Sequence, residues 1–416
     1  MKAAKESYAV GMLLLFALTA RVWGIGDVAA YYADEVTIIP NAEVYTKTGI
    51  VYAGDFYHPP LKSLLISGSI KLFGNNPYGW RLPFVFAGTL SVLWLYLLGR
   101  EVFSNKVAAY IAALLLAVEP LHIVLSRTAW GETLSLSSFL LASFLFLKYM
   151  RGTSSALLLA GLFFGISLSI KWYYLPALGI FIALACFSAV RERKSRCRIN
   201  ESLYIFSSLV LLPAAVYLIA FLPWFGRGYD LGEFMEWQVL MYRELQAVTQ
   251  SNFPGSLVVL MSGSPVEWFT MPLIFAEKVA GDGRWGFYSV VMSNFPFWML
   301  AFPSLLFISF QGVKSKRPSY LFPVVLFVSV YLLCLLVRRP LFLYSALQAV
   351  PFAHLAVGFL LASLAGRSRK SGVYYGIIIG AILIWGGYLY PFVLGFPVPD
   401  FLYSPLVSLS GGMPKF

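Results

Sequence analysis

Asp34 and Glu35 stand side by side, and His58 follows them directly ahead of Pro59, Pro60 and Leu61. Two adjacent carboxylates can do two kinds of chemistry. One of them can act as a general base on an acceptor hydroxyl, given a raised pKa or a well-placed partner. Alternatively, the pair can hold a divalent cation through oxygen. An Asp-Glu dipeptide is also an ordinary solvated loop pair, so the surroundings must decide. The two prolines fix φ and remove two backbone donors, which places the imidazole at a rigid entry to the next element. His58, His122 and His354 are few and scattered; a His–carboxylate zinc or manganese site stays open on ligand type alone.

Cations form the second candidate set. Arg127 and Glu132 fall in SRTAWGE, near His122 and Glu119, while Arg81, Lys171 and Arg338-Arg339 lie at other ends of apolar runs. Charges so near hydrocarbon either face a protein cavity or snorkel to headgroups. Facing an acid-rich loop, cations at that depth suit a lipid phosphate held at the interface.

The chain that must position these residues is 59% hydrophobic and 12% charged, with a mean hydropathy of +0.76. A soluble domain carries about 25% charge, so the composition indicates a polytopic membrane protein. The apolar run from Tyr8 to Trp23 reads as a retained first helix rather than a cleaved leader. Cys186, Cys197 and Cys334 form no CxxC pair and argue neither a disulfide framework nor a zinc site. The net charge of +12 would suggest nucleic acid in a soluble protein; its placement here gives a membrane account instead.

Eleven stretches are apolar enough to cross a bilayer, which takes roughly 17 to 25 residues of helix: 7–24, 81–99, 106–121, 131–150, 155–171, 172–190, 203–224, 288–310, 320–337, 341–364 and 373–394. Lys and Arg collect in alternate short loops: Lys2 and Lys5, Arg100 and Lys106, Lys148 and Arg151, Arg191 to Arg198, Lys314 to Arg317, and Arg367 to Lys370. Eleven spans put all six groups on one side, with a cytoplasmic N-terminus. Of 19 acids, only Glu6, Glu101, Glu192 and Glu201 then fall on that side, so the working surface is expected outside the cytoplasm.

Two outer segments are long, 24–80 and 226–287. The first should contain an interfacial or re-entrant helix at LKSLLISGSIKLFG. In the second, Leu231, Phe234, Trp237, Met241, Leu245 and Val248 recur at helical spacing, which predicts a helix lying apolar face down in the interface. A transporter or flippase of lipid-linked sugars would show repeat symmetry and ionisable groups near mid-membrane; neither is evident. A non-catalytic assembly subunit is the other alternative.

At this point the residues resemble a known family. An Asp-Glu pair, then HPPL and an interfacial helix, then LFGNNPYGWRLP leading into span two, and Ser126-Arg127 with Glu132 after span three, are similar to the protein O-mannosyltransferases of the GT-C membrane glycosyltransferases. SGSPVEWFTMPLIF (Ser262 to Phe275), SNFPFWM (Ser293 to Met299) and RRPLFLYSALQAVPF (Arg338 to Phe352) extend the resemblance. It implies an all-α polytopic GT-C fold, one domain over 1–416, with about 11 transmembrane helices and interfacial helices in the first and fourth outer loops. It implies Asp34 as base, Glu35 and His58 beside it, and Arg127, Arg338, Arg339 and Lys171 around a donor phosphate. Glu132, Arg81, Lys62, Glu267, Trp268 and Tyr344 would support the site or its acceptor. The donor would be a polyprenyl- or dolichyl-phosphate-linked sugar, mannose first, in a cell membrane; the acceptor is a protein, lipid or glycan hydroxyl. The sequence names no cofactor, and a divalent cation stays open. Two departures bear on the acceptor: Phe56 stands where related protein-glycosylating enzymes often have Asp, and the first loop has no room for a β-trefoil domain.

Overall fold

The computed structural model describes residues 2–27, 31, 34–49, 58–191, 198–247, 274–281, 285–292, 294–336, 341, 343–365 and 368–409. Helices dominate, as they must where no water is present to satisfy backbone groups. In order they are α1 (Lys2–Val22), α2 (Glu35–Thr48), α3 (Leu61–Phe73), α4 (Pro77–Phe103), α5 (Lys106–Ala117), α6 (Pro120–Ser126), α7 (Glu132–Met150), α8 (Ala156–Leu168), α9 (Leu175–Arg191), α10 (Arg198–Phe206), α11 (Leu212–Ala220), α12 (Leu222–Phe225) and α13 (Leu231–Ala247). A strand pair, β1 (Ile274–Gly281) and β2 (Trp285–Met292), follows. Then come α14 (Phe295–Lys314), α15 (Phe322–Leu336), α16 (Val350–Leu364), α17 (Arg369–Leu394), β3 (Val398–Pro399) and α18 (Asp400–Leu409).

By length and apolarity, seven helices among the described residues can cross a membrane, and eight if the bent pair α5–α6 is one span. Helices α8 and α16 are apolar but shorter. Each of the eleven expected stretches holds helix, yet length and apolarity do not carry a count of eleven crossings. Three boundaries change. The stretch 106–121 breaks after Ala117 and bends by 60° into α6. The stretch 288–310 begins as strand and becomes helix only at Phe295, because its first residues pair antiparallel with β1, Ile274 opposite Met292. The stretch 341–364 opens with a 3₁₀ turn, Leu343–Gln348, before α16.

Helix α4 is the hub, packing against α1, α3, α5, α6 and α7. It starts cleanly: the Asn76 side chain accepts from the backbone N–H of Tyr78 and Gly79, and Pro77 occupies the first turn. Gly88 on α4 permits a close approach, since a Cβ there would lie 2.1 Å from Ser126 Oγ and 3.1 Å from Arg21 Nε. Aromatic stacking fills the interior: Phe139 lies over Tyr174 at 3.7 Å and Phe146 over Phe181 at 4.1 Å.

A smaller core supports the end of the bundle where the candidate residues gather. Ile38, Ile39 and Ala42 of α2 pack with Ile66 and Ile70 of α3, Trp80 and Phe84 of α4, Ala129, Leu134 and Ile170. Gly49, at φ +68°, ends α2 with its N–H bonded to the Tyr45 carbonyl. Sequence reasoning left 35–48 as loop, so α2 is a correction.

Candidate active site

Asp34 is the N-terminal flank of α2. Its carbonyl accepts from the N–H of Thr37 and Ile38, at 3.1 and 3.0 Å, while its exposed carboxylate does not cap the helix. Glu35, one residue on, is fully buried. Arg81 grips it with two donors: Nε to Oε1 at 2.9 Å and Nη2 to Oε2 at 2.6 Å. The Ala129 N–H adds a third bond to Oε1 at 2.9 Å, and Arg81 Nη1 reaches the Ile25 carbonyl at 3.2 Å. This bidentate clamp joins the start of α2 to α4, the end of α1 and the loop after α6. It gives Glu35 and Arg81 a positioning part.

Behind the clamp lies a second buried ion pair, Lys171 Nζ with Glu132 Oε1. Glu132 Oε2 has no hydrogen-bond partner among the described residues. The Asp34 carboxylate is close enough to act electrostatically on both members. Lys171 also faces two rings, Tyr173 at 5.8 Å and Tyr344 at 5.7 Å, and Trp130 packs edge-on to Tyr344. Lys62 is buried beside them. Gly131, at φ +82°, lies between the two lysine stems: a Cβ there would meet Lys62 Cδ at 3.0 Å and Lys171 Cε at 3.6 Å. Gln348 Nε2 donates to the Glu132 carbonyl.

His58 is half-buried at the His-Pro-Pro turn, and the Leu61 N–H three residues later donates to the Ser169 carbonyl at 3.3 Å. That bond ties the turn to the segment carrying Lys171. Tyr31 donates to Glu43 at 2.9 Å and lies 4.9 Å from the Trp80 ring; burial, then the Glu43 hydrogen bond, pushes its hydroxyl pKa up.

Arg127 sits apart from this cluster in its bonding. Its guanidinium donates to the carbonyls of Ala20, Arg21 and Trp23 at the end of α1, and to the Leu394 carbonyl at the end of α17. Burial, then the neighbouring Arg81 cation, against the pull of Asp27, brings it down to about 10, still charged at neutral pH. Arg338, Arg339, Glu267 and Trp268 lie outside the described residues, as do Asp55 and Phe56.

Sequence reasoning missed Arg21. It is fully buried and donates to the carbonyls of Ala17, Leu116 and Ala117 and to His122 Nδ1, the last at 2.6 Å. The Leu116 and Ala117 carbonyls lie where α5 breaks; Leu116 also accepts from the Glu119 N–H at 3.4 Å, and the guanidinium supplies further donors to both. Because arginine only donates, His122 Nδ1 must accept and its proton sits on Nε2. Tyr390 donates to the Val118 carbonyl at 2.9 Å, and Glu119 accepts from the Asn294 N–H at 2.9 Å, completing the break. A cation at the C-terminal end of the first apolar run was the available signal. Among the described residues no group of three or more His, Cys, Asp or Glu is arranged to hold a metal.

Known proteins resemble this chain in sequence and in fold. The family model described as dolichyl-phosphate-mannose-protein mannosyltransferase matches residues 57–225. A polyprenol-phosphate-mannose–protein mannosyltransferase of Corynebacterium glutamicum is 22% identical, the match covering 97% of this chain and 92% of the relative. The S. cerevisiae protein O-mannosyltransferase Pmt1-Pmt2 complex bound to the sugar donor superposes with a TM-score of 0.81 at 13% identity, covering 99% and 93% of the two chains. ArnT from Cupriavidus metallidurans bound to undecaprenyl phosphate gives a TM-score of 0.56 at 14% identity, covering 94% of this chain and 65% of its own.

Proposed function

We propose that this chain, a multi-pass membrane protein of GT-C fold, acts as a protein O-mannosyltransferase-like enzyme that transfers a sugar from a polyprenyl-phosphate donor to an acceptor hydroxyl. The observation that carries the mechanism is the exposed, uncapped Asp34 carboxylate set against the buried Lys171–Glu132 pair. Asp34 takes the proton of the acceptor hydroxyl as that oxygen attacks the anomeric carbon. The bond from that carbon to the phosphate oxygen breaks, and polyprenyl phosphate leaves with the electron pair. One displacement inverts the anomeric configuration. The developing charge sits on a phosphate, so nearby cations contribute more than an acid would. Lys171, Lys62 and the Arg338-Arg339 pair are the groups we place there. Arg127, with four backbone carbonyls on its guanidinium, holds helix ends together instead. The partnerless Glu132 Oε2 suits a hydrogen bond from a donor-sugar hydroxyl.

We place the N-terminus in the cytoplasm and the site on the opposite face, on the distribution of Lys and Arg among the loops. Mannose is the sugar and a protein hydroxyl the acceptor in this reading, following the named activity of the C. glutamicum relative.

The test is Asp34→Asn in membrane vesicles supplied with labelled polyprenyl-phosphate mannose. Transfer should fall by about 10²-fold or more, the range for a lost general base. Undiminished transfer by a properly inserted variant would remove Asp34 from the chemistry.

A further inference from the structure

Lys171 stands at a break between helices. Its backbone is extended, at φ −153° and ψ 148°, between the end of α8 and a 3₁₀ turn over Trp172–Tyr174 that leads into α9. Such a residue carries its long side chain on a joint, and the ion pair with Glu132 fixes only the tip.

The three residues that follow fix the base. All are aromatic, and the polar end of each is bonded to a different side chain. Trp172 Nε1 donates to the Tyr217 hydroxyl of α11 at 3.2 Å, and that hydroxyl donates to Gln238 of α13 at 2.6 Å. The hydroxyls of Tyr173 and Ser345 share a hydrogen bond at 3.1 Å. Tyr174, fully buried, donates to Gln348 Oε1 while its ring stacks on Phe139 of α7.

Ser345 and Gln348, 1% and 0% exposed, belong to one 3₁₀ turn, Leu343–Gln348. Tyr344 of that turn holds its ring 5.7 Å from the Lys171 ammonium, and Gln348 Nε2 donates to the Glu132 carbonyl. Two short turns therefore meet in one register: Lys171 with Tyr344, Tyr173 with Ser345, Tyr174 with Gln348. Phenylalanine at 173 and 174 would supply the same rings. The hydroxyls add the register, because polar groups at this depth are costly in any arrangement that leaves them unpaired.

We propose that Ser345 and Gln348 are positioning residues for sugar transfer: through Tyr173 and Tyr174 they fix the Lys171 ammonium against Glu132, where the leaving phosphate gains charge. The catalytic part rests on the proposed function; the register of the two turns does not. A donor phosphodiester carries a single negative charge, whereas the departing polyprenyl phosphate carries about −1.5 to −2. A well-placed ammonium therefore acts more on the transition state and product than on the bound donor. Loss of the tethers belongs in kcat and in product affinity, not in KM.

The experiment compares wild type, Ser345→Ala and the double variant Tyr173→Phe with Tyr174→Phe, in membrane vesicles. Each is also made in a background carrying Lys171→Met with Glu132→Gln. Transfer from polyprenyl-phosphate mannose gives kcat and KM, and undecaprenyl phosphate is titrated separately for binding. In the native background the double tyrosine variant should lose about 10-fold in kcat, short of the roughly 10²-fold that an ångström of misplacement costs. KM should stay within about twofold and undecaprenyl phosphate should bind several-fold more weakly, with Ser345→Ala shifting the same two quantities less. Without the ion pair, the same substitutions should change neither quantity further. An equal multiplicative loss in both backgrounds, a loss confined to KM, or an unchanged kcat in the native background would each overturn the proposal. The split between kcat and KM decides the matter alone should the four-substitution variant fail to insert. Absence of transfer by wild type counts against the proposed function, and the undecaprenyl phosphate titrations then carry the same comparison.

Discussion

Asp34 and Glu35 are neighbours with opposite surroundings. At the start of a helix, consecutive side chains point about 100° apart, so one carboxylate stays in solvent while the other enters the core. Arg81→Met should strand the buried Glu35 charge and cost about 3–5 kcal/mol, read as a lowered unfolding temperature in detergent. The double variant Arg81→Met with Glu35→Leu should recover most of that loss while transfer stays low, because the loop after α6 is no longer held. Lys171 already places a cation against Glu132 in the candidate site, so transfer should persist in EDTA. Collapse in EDTA with recovery on adding manganese would replace Lys171 by a metal in the mechanism. Local motifs made Asp34 and His58 readable from sequence. The partners were not readable, since Glu35 and Arg81 are 46 residues apart and only the packing of α2 on α4 brings them together.

Elements show where pattern reading gives way to tertiary context. The apolar stripe of α13 was legible as helix, but periodicity alone could not say that Phe234 and Met241 meet protein while Met235 and Val239 do not. Helix α2 carries its own signals, Glu35 in its first turn and Gly49 after its last, which the proline at position 40 obscured. Residues 285–292 are rich in apolar and β-branched side chains, a composition that reads equally as the start of a buried helix. The break between α5 and α6 was hidden because its replacement hydrogen bonds come from Arg21, 95 residues away. Arg21→Met should take the side-chain donor from the Ala117 carbonyl, and from a Leu116 carbonyl that keeps the Glu119 N–H, at about 1–3 kcal/mol, and thermal unfolding of the purified protein measures the loss. Gly131→Ala should also destabilise, since it combines a positive φ with a Cβ only 3.0 Å from Lys62.

For the whole molecule, two acids on the side proposed to be cytoplasmic each hold two cations: Glu6 with Arg100 and Lys106, and Glu101 with Lys148 and Arg151. The further Lys and Arg that the sequence places in loops of that side suit anchoring to anionic lipid. A single cysteine at Glu43 should be labelled by a membrane-impermeant maleimide in intact cells, and one at Lys316 only after permeabilisation. The reverse pattern would invert the topology. The overall architecture was the most legible feature because hydropathy is a property of long stretches, whereas the geometry of the site depends on single contacts between them.

The bonds from Arg127 to Leu394 and from Tyr390 to Val118 set an order of events during synthesis. The α5–α6 break and the loop carrying Arg127 emerge early in translation, yet each has a fastening point on α17. Until that helix inserts, the break after α5 and the loop that follows it lack their final hydrogen bonds. The candidate site is thus completed by α17, and ribosome-bound intermediates truncated before Tyr390 should be inserted but inactive.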